Sequence, residues 1–374
     1  MPDRIDPDFV QEMFPTLSEM TYLDNAATGI PPMTCVNAMN AYLEDRITAK
    51  GDFEETLQNL KEIREHLAKM LGGKRGNYGF MPNTTSGLNA FAHSIEYPEG
   101  SNIVLCDLEF PANYVPWQHL CRLQGLELRV VKSTDGAAPT EAFKEQVDEN
   151  TRVLAISQVQ FESGFRSDLR VLGKIIHSVG GFLVADIIQA AGWANTNLVK
   201  EEVDFAAGQA AKWMLGPIGA GYVYVSDKII DELRPKYLGW WGIKGIEEYS
   251  YFEREPFPDA KKFQIGSPAM IAYVGMLESL RMLNSLTAKA RESAALEISE
   301  HLRGLLQEKK IGYYEFQDNH KSPIVSCLPE DVEDLNRRLK DKRIHCSVRN
   351  GRLRVSPHFY NSKEDIDRLV EYMG

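Results

Sequence analysis

The chain has 374 residues, with Lys+Arg 42 against Asp+Glu 53, a net charge of −11, and 43% hydrophobic and 25% charged residues. That length fits about two or three domains around a sizeable core, and the near-average composition excludes disordered, collagenous and low-complexity classes. The acidity opposes binding to a phosphate backbone, which needs clustered positive charge. Five widely spaced cysteines (Cys35, Cys106, Cys121, Cys327, Cys346) without a CxxC suit reduced thiols rather than a disulfide framework or a zinc ribbon. The opening residues MPDRIDPDFV lack the basic and apolar regions of a signal peptide, and no run nears the ~18 apolar residues of a membrane span. The expectation is a soluble cytoplasmic protein with no nucleic-acid and no membrane partner.

In chain order, Glu55–Leu71 places Leu57, Leu60, Ile63, Leu67 and Leu71 at helical spacing before Gly72-Gly73, an amphipathic helix with its stop. Short apolar runs follow at Tyr78–Met81, Asn102–Cys106, Leu128–Val131, Val153–Ser157, Phe182–Ala185, Asp204–Ala207 and Tyr222–Val225. Several are continuously apolar, as strands covered on both faces are. Between two of them Ser167-Asp168 can cap a helix whose apolar face is Leu172, Ile175, Ile176 and Val179 and whose stop is Gly180-Gly181, making a βαβ unit. The fold class is α/β, a mostly parallel seven-stranded sheet flanked by helices. Tyr237–Pro268 reads as a long aromatic excursion, the kind of loop that is usually functional; Ala269–Gln307 reads as helix, and the remainder as a smaller α+β domain. The expected division is an N-terminal segment 1–20 packing on the small domain, a large domain 21–255 and a small domain 256–374.

Three local features carry chemistry. Lys212 stands among small and apolar residues between two strands, where desolvation lowers a lysine pKa and frees an amine for carbonyl chemistry; a lysine snorkelling from a strand end reads the same way. Asp186 ends a hydrophobic strand, and strand ends are where α/β sheets put ligands, although a helix N-cap fits it equally. Asn83-Thr84-Thr85-Ser86 joins a strand to a helix, offering free N–H groups and a favourable dipole to a phosphate, or forming an ordinary cap. Gly216-Pro-Ile-Gly219-Ala-Gly221 has the order G-x-x-G-x-G and leads into a strand, so the dinucleotide fingerprint fails. The histidines His93, His345 and His358 have no metal-ligand spacing, and no metal is expected.

Taken together, YLDNAATG at 22–29, NTTSGLN at 83–89, LEFPANYVPW at 108–117, ADIIQAAG at 185–192, AAKWMLGPIGAG at 210–221, GSP at 266–268 and RLRVSPHFYNSKEDIDRL at 352–369 resemble the class V aminotransferase-like group of fold-type I enzymes. These enzymes depend on pyridoxal 5'-phosphate (PLP), and the group includes cysteine desulfurases, kynureninases and isopenicillin-N-epimerase-like proteins. The resemblance implies that Lys212 is the Schiff-base lysine and Asp186 the partner of the pyridine nitrogen. It implies that Gln189 and Gln158 lie near the ring's phenolic oxygen, that Thr84 and Thr85 hold the phosphate, and that Phe110 (or Pro111, one register on) stacks on the ring. Gln209 takes the place of a phosphate donor. Ser267 corresponds to a residue that reaches the neighbouring subunit's phosphate, which implies a homodimer with shared sites. Arg354 matches the arginine for the substrate α-carboxylate, a role its planar fork suits; Asn25, Ala26 and Trp241 border the substrate pocket.

Two departures bear on function. Ala211 replaces a histidine that many relatives carry before the lysine. Arg349 and Arg354 are separated by four residues, leaving no room for the extended loop that bears the nucleophilic cysteine of desulfurases, and Cys346 falls on the strand itself. Transamination of a small amino acid is placed first, with C–S or β-elimination or epimerisation as alternatives; persulfide desulfuration is disfavoured.

Overall fold

The computed structural model describes residues 5–245 and 254–373; part of the expected aromatic excursion, and the first residues of the N-terminal segment, lie outside them. All seven expected strands form: β1 (Tyr78–Met81), β2 (Asn102–Cys106), β3 (Glu127–Val131), β4 (Thr151–Ser157), β5 (Phe182–Asp186), β6 (Phe205–Gln209) and β7 (Gly221–Val225). They make one sheet in the order β1-β7-β6-β5-β4-β2-β3, in which only β7 runs antiparallel to its neighbours. The central strands divide their apolar residues between two layers. Val104, Leu154, Ile156, Leu183 and Ala185 face one helical layer, while Ile103, Leu105, Val153, Ala155 and Val184 face the other. That two-sided burial is why the runs carry so little polar alternation.

The helices obey the caps in the sequence. Asp52 accepts the Glu54 N–H at 2.8 Å ahead of the helix Phe53–Leu71, and Asp168 accepts the Val171 N–H at 3.0 Å ahead of Leu169–His177. The expected single helix over 269–307 is two, Met270–Ser285 and Ala288–Glu308. Leu286 is extended, and Thr287 caps the second helix by accepting the Ala290 N–H at 3.0 Å. A hydroxyl cap thus overrides a helical hydrophobic pattern.

The C-terminal part adds a four-stranded antiparallel sheet of β8 (Gly312–Tyr313), β9 (Val325–Leu328), β10 (Ser347–Arg349) and β11 (Arg352–Val355), ordered β10-β11-β9-β8. Thr21–Tyr22 pairs parallel with Ile344–His345, and Asp24 bridges to Ser356. These pairings bring the block at 22–29 against the small sheet. The N-terminal residues continue the link, with Phe14 packed on Phe359 and Tyr360.

Candidate functional site

The six strands of common direction end on one edge of the large sheet, and the residues singled out above follow those ends. Lys212 lies just beyond β6. Its backbone is clamped by the block at 22–29: the Gly29 N–H donates to the Ala211 carbonyl at 2.8 Å, and a Cβ at position 29 would fall 2.0 Å from the Lys212 carbonyl oxygen, so only glycine fits there. The lysine side chain is buried, with Nζ 5.6 Å from the centroid of the Phe110 ring. Burial pushes its pKa down to about 8; Asp186 and Asp24 oppose that shift, and Arg354 and Arg349 add to it.

Asp186 closes β5, and its Oδ1 accepts the Ile188 N–H at 2.9 Å. Burial raises its carboxyl to about 7; the Ile188 N–H pulls it back, and Glu109 pushes it further up. Glu109, which sequence reasoning passed over, is buried beneath the site. It accepts from the Ser157 N–H at 2.8 Å, the Ser157 hydroxyl at 2.5 Å, Gln160 at 2.8 Å and Asn113 at 2.7 Å. Burial drives its carboxyl up towards the neutral form, and these four donors oppose that shift.

Thr84 opens the helix Thr84–Ala92, for which Asn83 is the cap and takes the Ser86 N–H at 2.9 Å. The first N–H groups of the helix have no intrahelical acceptor, and the Thr84 hydroxyl is buried without any partner. Thr85 beside it is exposed. Gln209, at the end of β6, is half-buried and pairs through its backbone with Gly221.

Across the cleft, Arg354 projects from β11 and is buried. Its two terminal nitrogens donate to the Phe161 carbonyl at 2.8 Å, to Ser347 Oγ at 3.1 Å and to Asp24 Oδ1 at 3.4 Å; Nε has no partner. Phe161 itself meets Phe110 edge-on, ring centroids 5.1 Å apart. Lys212, Phe110 and Phe161 therefore line one side of the cleft, and the Phe161 carbonyl ties it to Arg354 and Asp24 on the other. Asp24 lies in the block at 22–29 that the sequence places at the pocket border, whereas Phe161 went unnoticed because its part depends on contacts with Arg354 and Phe110.

Other expected positions are corrected. Gln158 is turned to the opposite side of its strand end, where Nε2 donates to Thr196 at 2.9 Å and Oε1 accepts the Thr196 hydroxyl at 3.1 Å; strand alternation leaves it no path to the Asp186 side. Asn25 is buried and bound to the protein: its amide donates to the Ser356 carbonyl at 2.9 Å and accepts the Tyr360 hydroxyl at 2.7 Å. Ala26 gives its N–H to Ser356 and its carbonyl to Gln189, each at 3.0 Å. Gln189 also accepts the Trp213 indole N–H at 2.7 Å and so braces the segment after Lys212. Trp241 is buried against Phe53 and donates to Ser267 at 3.1 Å. Both line a groove with Tyr42, Arg46 and Met270, away from the Lys212 wall of their own chain.

A family model described as Aminotransferase class-V matches residues 21–369. The chain belongs to the aminotransferase class-V family. It is 27% identical to a probable cysteine desulfurase of Methanothermobacter thermautotrophicus, over 97% of this chain and 96% of the other, and 24% identical to an uncharacterized aminotransferase, YcbU, of Bacillus subtilis, over 98% and 96%. In fold it matches the apo cysteine desulfurase of Thermococcus onnurineus NA1 with a TM-score of 0.90 at 23% identity, over 100% of this chain and 98% of that one. It also matches the cystine C–S lyase C-DES, with a TM-score of 0.87 at 21% identity over 96% and 98%. The protein is accordingly a PLP-dependent enzyme of fold type I, and its residues fit that cofactor. A desolvated lysine, a buried carboxyl and an unpartnered threonine hydroxyl at a helix start are the nucleophile, the acceptor and the donor that an aldehyde, a protonated pyridine nitrogen and a phosphate require. Among the described residues no group of His, Cys, Asp and Glu is disposed to hold a metal, and no helix is long and apolar enough to cross a membrane.

Proposed function

We propose that this enzyme binds a small α-amino acid and transaminates it, with Lys212 as cofactor anchor and proton carrier. The observation that carries the reading is the cleft itself: one buried lysine with its pKa drawn towards neutrality, beside the Phe110 ring that Phe161 meets edge-on, with a buried arginine across from it. When bound, PLP supplies the electron sink that acidifies the substrate Cα–H. Asp186 holds the ring nitrogen, Thr84 and Thr85 receive the phosphate with Gln209 beside them, and Phe110 covers the ring face. Arg354 receives the α-carboxylate through its unpartnered Nε, orienting Cα towards Lys212. Phe110 and Phe161 carry no proton, and the nearest histidine, His358, is buried with Nε2 2.9 Å from the Trp213 carbonyl and its pKa down at about 3. Lys212 is left to take the proton from Cα and to return it one position away, which is the proton shift of transamination.

All five cysteines are buried, and burial pushes the Cys346 thiol well up, so none is set to accept sulfur as a thiolate. Free thiols also suit a reducing cytoplasm. A second reading, cleavage of a C–S bond, is favoured by relatives named cysteine desulfurases, although the buried thiols do not suit a persulfide carrier. The homodimer belongs to the same proposal: Ser267 is exposed and lies in a groove apart from its own Lys212, which suits a donor to a partner's phosphate.

The test is the visible spectrum of the purified protein with a panel of amino acids, followed by assay for keto acid, ammonia and sulfide. Bleaching with stoichiometric keto acid is expected. Ammonia or sulfide with the colour retained overturns transamination in favour of elimination.

A further inference from the structure

The hairpin of β10 and β11 pairs Ser347 with Arg354, Val348 with Leu353 and Arg349 with Arg352. In an antiparallel pair, residues opposite each other and residues two apart share a face. Ser347, Arg349, Arg352 and Arg354 therefore stand on one side, while Leu353 and Val348 pack into the small-domain core. Three arginines on one small face repel one another unless each has something to hold. Arg354 has the Phe161 carbonyl, Ser347 and Asp24. Arg352 donates to the Ser326 carbonyl at 3.1 Å and lies 3.9 Å from the centroid of the Tyr314 ring.

Arg349 is different. Its one hydrogen bond among the described residues goes from Nη1 to the carbonyl of Val348, its chain neighbour, at 2.7 Å. Glu162, next to Phe161, accepts the amide of Asn350 instead. Arg349 is half-buried, and its charge is felt by both Lys212 and Arg354, so it belongs to the same cleft. Two arginines on one face are more than a single α-carboxylate needs once Arg354 receives it.

We infer that Arg349 receives a second anionic group, carried on the substrate side chain, so that the substrate class is an acidic α-amino acid such as a dicarboxylic one. This rests on the proposal that Arg354 takes the α-carboxylate beside Lys212. With Arg354 fixed on the α-carboxylate and Lys212 at Cα, the side chain leaves Cα along the hairpin face that Arg349 shares. A neutral side chain in that place would leave a half-buried cation without an anionic partner, and a polar site lacking its counterpart is what gives strong discrimination.

The experiment compares aspartate and glutamate with their amides asparagine and glutamine, and with alanine, on the holoenzyme and on R349Q, reading kcat/KM together with the cofactor's absorbance change. The acids are expected to exceed their amides by on the order of 100-fold. In R349Q that ratio should collapse, through KM for the acids, while the absorbance of the resting holoenzyme is unaltered. Amides reacting as well as the acids, or a ratio untouched by R349Q, would overturn the inference and leave the reading of Lys212 and Arg354 standing. If no amino acid of either kind perturbs the absorbance, both fall together.

Discussion

The two walls of the cleft are built on opposite principles. The large-sheet wall sets hydrocarbon beside a single amine, with the Phe110 ring next to a desolvated Lys212 and Phe161 edge-on to Phe110. The small-sheet wall is crowded with cations and hydroxyls, Arg349, Arg354 and Ser347 on one hairpin face. Desolvation tunes a group for chemistry by moving its pKa, whereas a rigid guanidinium row retains its charge at any working pH and can only recognise. Chemistry is thus expected to fail when the first wall is altered, and affinity when the second is.

The largest effect tests the first wall. Lys212→Ala should lower turnover by ~10⁴-fold or more and abolish the borohydride-fixed attachment of the cofactor to protein; an attachment that survives would move the chemistry to another lysine. Arg354→Ala comes next. Truncating one partner of a buried charge contact costs about 3 kcal/mol, so kcat/KM should fall by roughly 100-fold, carried by KM, with the resting spectrum retained. A loss carried by kcat alone would erase the distinction between the walls.

Asp186 sharpens the comparison through pH. In the cofactor-stripped protein its carboxyl rises from 3.8 to about 7, first through burial. A carboxyl whose folded pKa is raised stabilises the fold fully below the unfolded value, and loses that contribution as pH rises to the folded one. The stripped wild type should therefore lose stability relative to Asp186→Asn between pH 4 and 7, by about 2 kcal/mol after relaxation of the pair with Lys212. Urea melts of both proteins across that range check it. A difference independent of pH would mean that the carboxyl is ionised throughout.

How much of this could be read from the sequence follows the same division. The seven strands and the order Thr84, Asp186, Lys212 were legible because two-sided burial writes itself as apolar runs with a polar residue at the end, a local signal. The surroundings of the amides were not legible, for the opposite reason. Whether Asn25 or Gln189 faces ligand or protein depends on Ser356, Tyr360, Ala26 and Trp213, partners scattered along the chain. Arg349 was seen only as a spacing mark, since its shared face with Arg354 appears once the hairpin register is known. Asn25→Ala tests the structural role: with the Tyr360 hydroxyl and the Ser356 carbonyl left unsatisfied, the urea midpoint should fall by the equivalent of about 2 kcal/mol, while KM changes far less than with Arg354→Ala.

The smallest effect is the most discriminating about the large-sheet wall. Gln158 was expected at the ring's phenolic oxygen, yet its amide is spent on Thr196 at 2.9 Å, with Glu201 3.4 Å away. Gln158→Ala removes those bonds and leaves the Thr196 hydroxyl to be satisfied by Glu201 or water, a cost of about 1 kcal/mol in stability. A group that donated to the phenolic oxygen would also shift the pH at which the cofactor's visible band changes, because it would stabilise the ionised form. The spectral titration of Gln158→Ala should therefore superimpose on that of the wild type while its melting curve does not. A displaced titration would mean that the strand end turns when the cofactor binds, bringing Gln158 round to the side that Glu109, Ser157 and Gln160 hold now.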